Sequence, residues 1–170
     1  MPAQVEAVLR TTNARRIAID GADGSGKSTL AEELAATLGI PALHLDDFLT
    51  AHQGEYVAHL NLQALQGALS GSAYLLEGIC ILQVLAQVKA QPDALVYVKR
   101  VSHGRWVDAE DLDPSLPIEQ HLANLRKESL PLAKAMGLSA ELGLAEEVIR
   151  YHAEYHPHRK ATVVYLRTDG

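Results

Sequence analysis

The sequence is poor in cysteine, in positive charge and in long apolar runs, and each shortage removes a class of protein. Cys80 is the one cysteine among 170 residues, so no internal disulfide can staple the fold. Lysine and arginine number 15 against 21 aspartates and glutamates, a net charge of −6, which leaves no positive field for wrapping long nucleic acid. No run approaches the ~20 apolar residues that cross a bilayer. The most apolar stretch, 73–88, is broken by Glu77, Gln83 and Gln87. The start Met1-Pro2-Ala3-Gln4 has neither the basic nor the apolar region of a secretory signal. A cytoplasmic protein without membrane or long nucleic-acid partners is expected. The length suits one domain, 1–170, and no repeat, low-complexity tract or linker divides it.

What is present is an alternation of short apolar runs with segments of helical spacing, the pattern of βαβ units around a parallel sheet covered on both faces. Strands are expected at 16–20, 42–45, 73–77, 94–99 and 161–166. Leu30, Leu34 and Leu38 mark a helix ended by Gly39 and Pro41. Leu60, Leu62, Leu65 and Leu69 mark a second helix, and 79–88 a third. Segment 103–117, with four acids and two prolines, reads as a loop. Ile118, Leu122 and Leu125 predict a helix that Pro131 keeps short, and 144–155 another, stopped by Pro157.

Between the first strand and the first of these helices, Gly21, Gly26, Lys27 and Ser28 complete the pattern G-x-x-x-x-G-K-[ST]. Glycines let the backbone curl until several N–H groups converge on one phosphate, where side chains would block the approach. The helix start adds the positive end of its dipole, and Lys27 a mobile ammonium that follows the β- and γ-oxygens. Gly21, Ala22, Asp23, Gly24, Ser25, Gly26, Lys27, Ser28 and Thr29 are therefore candidates for nucleotide binding, with ATP and Mg²⁺ as ligands and Ser28 on the metal. Asp23 either faces a substrate group or caps the turn.

Ligands of open α/β sheets bind beyond the carboxyl ends of the strands, and two such ends are acidic: Asp46-Asp47 and Glu77. An acceptor hydroxyl must lose its proton as it attacks a phosphate, and Asp46 is the candidate base. Glu77 is the candidate partner, with Ser28, of the magnesium hydration shell. Each of these acids also suits a helix cap or a strand end.

Three stretches together, Ile17 to Thr29, His44-Leu-Asp-Asp-Phe48 and Leu75-Leu-Glu-Gly-Ile79, resemble the uridine kinase and pantothenate kinase branch of P-loop kinases. The resemblance implies a three-layer α/β/α P-loop fold with a five-stranded parallel sheet ordered 2-3-1-4-5. It also implies an aspartate base at Asp46, ahead of Phe48, a magnesium-holding Glu77-Gly78, and a small hydroxyl acceptor such as a nucleoside. A weaker echo is Tyr151-x-x-x-Tyr155-x-Pro157; the Ala-Asp step that often follows in the family is here Ala161-Thr162. The family's arginine-rich lid after the fourth strand is reduced, around 100–117, to Arg100 and Arg105 ahead of an acidic run, and Arg105 is the candidate for the leaving phosphate.

Competing readings are a nucleoside monophosphate kinase, which needs more basic residues than this chain offers, and a nucleotide-binding regulator without efficient transfer. A signalling GTPase lacks support, because Asn124-Leu-Arg-Lys127 is no base-reading Asn-Lys-x-Asp. His152, His156 and His158 suit either a solvated helix end or a zinc or nickel site. Trp106 either stacks on a ligand or packs its loop onto the body. Cys80 reads as a small packed residue.

Overall fold

A computed structural model describes residues 2–50, 55–137 and 141–168. The strands of these residues are β1 (Arg16–Gly21), β2 (Ala42–His44), β3 (Tyr74–Glu77), β4 (Ala94–Ser102), β5 (Arg105–Trp106) and β6 (Val163–Thr168). Their parallel body runs β2-β3-β1-β4-β6, with Ile17 opposite both Leu75 and Ala94 and with Val96 opposite Val163. That is the expected order, with β6 as the fifth parallel strand. The sheet differs in having a sixth strand, β5, which pairs antiparallel with the end of β4.

Strict alternation assigns the two faces of the strands to two cores. Ile17, Ile19, Leu75, Val96 and Val98 meet Val5 and Leu9 of α1 (Pro2–Thr11) and Leu30, Ala31 and Leu34 of α2 (Lys27–Leu38). On the other face, Ala18, Tyr74, Leu76 and Leu95 meet α3 (Leu62–Ala68), α4 (Ile81–Gln87) and α7 (Leu144–Tyr155). Leu112 of α5 (Ala109–Leu112) and Leu122 of α6 (Ile118–Met136) close that core at its border. Helix α1 is an addition to the sequence reading; its signal is the four-residue step from Val5 to Leu9. No helix of the described residues is long and apolar enough to cross a membrane.

Two expectations are corrected. Segment 103–117 is folded: His103 and Gly104, at φ 50° and 74°, form the two-residue turn that returns β5 along β4, as a hairpin with two positive φ values requires, and α5 follows. Helix α6 passes through Pro131 and continues to Met136. The proline removes the N–H that would bond the Lys127 carbonyl, at a turn where Lys127 and Pro131 are both exposed. Buried Ala133 holds the turns beyond. Helix α7 matches its expected bounds, and a short α8 (Pro157–Lys160) follows it.

The Glu77-Gly78 step shows how closely the sheet ends pack. A Cβ on Gly78 would lie 2.7 Å from Cβ and Cδ1 of fully buried Leu45. Gly78→Ala should cost about 1–3 kcal/mol, read as a lower denaturant midpoint at unchanged slope.

Candidate active site

The loop between β1 and α2, the turn after β2 and the end of β3 line one cavity of about 550 Å³. Its wall includes Asp23, Gly24 and Gly26 from the loop, Lys27, Ser28 and Thr29 from the first turn of α2, Asp46 from a 3-10 turn at Leu45–Phe48, and Glu77-Gly78. Gly26 stands at φ 90°, a conformation costly for any residue with a Cβ, and α2 begins at the next residue. Asp23 caps the turn, its Oδ1 accepting from the Gly24 N–H at 2.9 Å, while also lining the cavity.

Lys27 is nearly buried, and its Nζ donates to the Ala22 carbonyl at 2.7 Å. Burial lowers its pKa, opposed by the carboxylates of Glu77, Asp20, Asp23 and Asp46. Ser28 Oγ donates to Glu77 Oε1 at 3.1 Å, and His44 Nδ1 lies 2.7 Å from the same oxygen. The other ring nitrogen, Nε2, lies 2.9 Å from Glu32 Oε1. Both nitrogens face carboxylates, which only accept, so His44 donates from both as an imidazolium. The hydrogen bond to Glu77 is the chief cause of its raised pKa. Because both bonds fall on Oε1 of Glu77, Oε2 keeps its coordinating capacity. His44 lies within a sequence motif, yet its role becomes visible only through these two contacts.

Asp46 is exposed to the cavity, and its Oδ1 accepts from the Tyr56 hydroxyl at 2.7 Å. Asp47 does not line the cavity. Tyr56 and Glu55, which do, carried no sequence signal.

Arg105 is placed elsewhere. The His103–Gly104 turn carries it to a second, open cleft with Ser102, His103 and Trp106. The arginines beside the phosphate loop are Arg167 at the end of β6, which lines the cavity and donates to the Gly24 carbonyl at 3.3 Å, and Arg100, which pairs with Asp108 at 2.8 Å. A Cβ on Gly24 would lie 3.9 Å from the Arg100 guanidinium. Trp106 packs edge-on to Tyr97, ring centroids 6.0 Å apart, with Lys99 Nζ over its face.

Beneath the loop, fully buried Asp20 accepts from the Gly21 N–H at 2.7 Å and from the Tyr151 hydroxyl. His152 and His158 are buried rather than solvated. His152 donates from Nδ1 to the Val148 carbonyl and accepts at Nε2 from the Tyr97 hydroxyl, both at 2.8 Å; burial lowers its pKa to about 4. Cys80, also buried, begins α4 in the left-handed region at φ 55°. Burial pushes its thiol pKa up, leaving an inert packed residue.

Burial pushes the Asp20 carboxyl up to about 7, against Tyr151, the Gly21 N–H and Lys27. A carboxyl with a raised folded pKa stabilises the fold at acid pH, and that contribution is lost as pH rises from its ordinary 3.8 through about 7. The melting-temperature difference, Asp20→Asn minus wild type, should therefore grow across this window and level off above it.

No family model matches the chain, and no curated protein does. The fold is similar to a possible uridine kinase from Bacillus stearothermophilus. The identity is 16% and the TM-score 0.49, over 97% of this chain and 100% of that one. It is also similar to TT1252 from Thermus thermophilus, at 18% identity and a TM-score of 0.37 over 91% and 88% of the two chains.

Proposed function

We propose that this chain transfers the γ-phosphoryl group of ATP to a hydroxyl of a small metabolite that carries no phosphate of its own, a nucleoside or a similar compound. The observation that carries the reading is the opening of the phosphate loop and Asp46 onto one cavity. A nucleotide-binding loop alone would suit many activities; a carboxylate across from it supplies the base that transfer to a hydroxyl requires.

The loop N–H groups and Lys27 hold the phosphates and draw off charge as it shifts toward the leaving oxygen. Asp46, with Oδ1 occupied by Tyr56, receives the hydroxyl proton on Oδ2 as the acceptor oxygen bonds to phosphorus and the bond to the leaving oxygen breaks. The oxygen-only pair Ser28 and Glu77, with Oε2 available, fits magnesium, which prefers hard ligands and retained waters. When bound, magnesium neutralises charge on the phosphate oxygens. His44 holds Glu77 in the orientation that this requires. That Arg167 lines the cavity while Arg105 lines another cleft supports giving the guanidinium role toward the phosphates to Arg167.

Charge on the acceptor side argues against a phosphorylated acceptor. Among the described residues, that wall consists of Asp46, Leu49, Glu55, Tyr56, Ile79 and Leu144, while the cations lining the cavity, Lys27 and Arg167, lie at the loop. A second phosphate would meet two carboxylates and none of the guanidinium groups that hold such groups. The test is ADP release with ATP, magnesium and a panel of nucleosides, sugars and their monophosphates. A neutral hydroxyl compound should raise turnover and its monophosphate should not. ATP binding with no acceptor-dependent turnover across the panel would instead mark a nucleotide-binding regulator.

A further inference from the structure

The base that accepts the proton sits on a four-residue 3-10 turn directly after a short strand, and nothing in its own element holds its carboxylate. What holds it comes from outside that turn, and is itself held from far along the chain. Tyr56, almost fully buried, donates its hydroxyl to Asp46 Oδ1 at 2.7 Å. The backbone of Tyr56 is held in turn by Glu147 of α7, whose Oε2 accepts from the Tyr56 N–H at 2.6 Å and whose Oε1 accepts from the Val57 N–H at 2.9 Å. One helical turn further, α7 presents Tyr151 on the same face. Its hydroxyl donates to Asp20 Oδ2 and accepts from the Leu82 N–H at 3.1 Å. Asp20 Oδ1 receives the first N–H of the phosphate loop, that of Gly21. Two side chains four residues apart on one rigid helix thus reach the two halves of the site.

Resting on the phosphotransfer reading, we propose that Tyr56 is a positioning residue for Asp46, anchored by Glu147, and that α7 sets the distance between the acceptor's base and the phosphate loop. An exposed aspartate rotates freely and offers either oxygen. Engaging Oδ1 stops that rotation and presents Oδ2, so the ordering that proton transfer requires is in place before the acceptor binds. Burial and the neighbouring Asp46 carboxylate raise the pKa of the Tyr56 hydroxyl, which keeps it a donor. The bidentate grip of Glu147 explains why a carboxylate stands there: two neighbouring N–H groups need two accepting oxygens, and an amide has one.

Tyr56→Phe removes only the hydroxyl. It should lower acceptor-dependent kcat roughly 10- to 100-fold while the ATP dissociation constant stays within about twofold. Glu147→Gln should lower kcat in the same sense and speed amide hydrogen exchange in the segment containing Tyr56 and Val57, measured by mass spectrometry without any turnover. If the wild-type chain shows acceptor-dependent turnover and Tyr56→Phe keeps it within about twofold, or loses ATP binding in proportion, the positioning role is overturned while the kinase reading stands. Unchanged exchange in Glu147→Gln overturns the anchor. A wild-type chain with no acceptor-dependent turnover overturns the kinase reading and the base that Tyr56 would serve.

Discussion

Asp46→Asn should lower acceptor-dependent ADP formation about 10²–10⁴-fold, the range that one positioned general base supplies, while ATP binding remains. The substitution keeps the volume and the acceptor oxygen that Tyr56 engages, and removes the capacity to take a proton. Asp46 is exposed and lies at the end of β2, outside both cores, so the fold has no stake in its charge and the melting temperature should hold. Asp47→Asn is the internal control: it neighbours Asp46 in sequence, yet its side chain does not line the cavity, and turnover should be nearly unchanged. Equal losses from the two substitutions, or none from Asp46→Asn, would remove Asp46 from the base role. The readings are kcat with a saturating acceptor and an ATP-binding isotherm for each variant.

Lys27→Met has a comparably large effect with a different signature. Losing a preorganised cation where transition-state charge develops costs on the order of 10²–10³-fold, and here ATP affinity should fall together with turnover. The ammonium lies among the carboxylates of Asp20, Asp23, Asp46 and Glu77, so without it the triphosphate meets more of their negative charge. Stability should move the other way. Burial disfavours the charged form of Lys27 by more than those carboxylates restore, so folding raises the free energy of the ammonium and a neutral side chain of similar length escapes that cost. The expected result is a melting temperature equal to or above wild type, beside an enzyme that binds ATP poorly. A parallel loss of stability would show the lysine to be structural.

The phosphate loop could be read directly because it is contiguous: eight successive residues, with glycines whose only explanation is backbone approach, between a strand and a helix that each have their own period. Asp46 and Glu77 could be read almost as well, because parallel strands joined by right-handed crossovers bring their carboxyl ends to one edge of the sheet. The position of Arg105 away from the cavity has the opposite cause. Chain position relative to β4 suggested Arg105, but the His103–Gly104 turn sent β5 back and gave the place beside Gly24 and Gly26 to Arg167, from a strand that closes the sheet more than sixty residues later. Pro131 misled because a local rule about helix interiors assumes a buried turn, and here Lys127 and Pro131 are both exposed.

The sequence alone thus settled the α/β architecture, the glycine-rich loop between β1 and α2 and the two acidic strand ends, since each is written in neighbouring residues or in a short period. The tertiary structure decided which groups serve those acids: His44 on Glu77, Tyr56 on Asp46, and Glu147 and Tyr151 of α7 beneath both halves of the site. Val57 and Glu147 stand 90 residues apart, and a contact across that span leaves no pattern in the intervening chain. It exists only once burial of two apolar faces has brought α7 against the sheet.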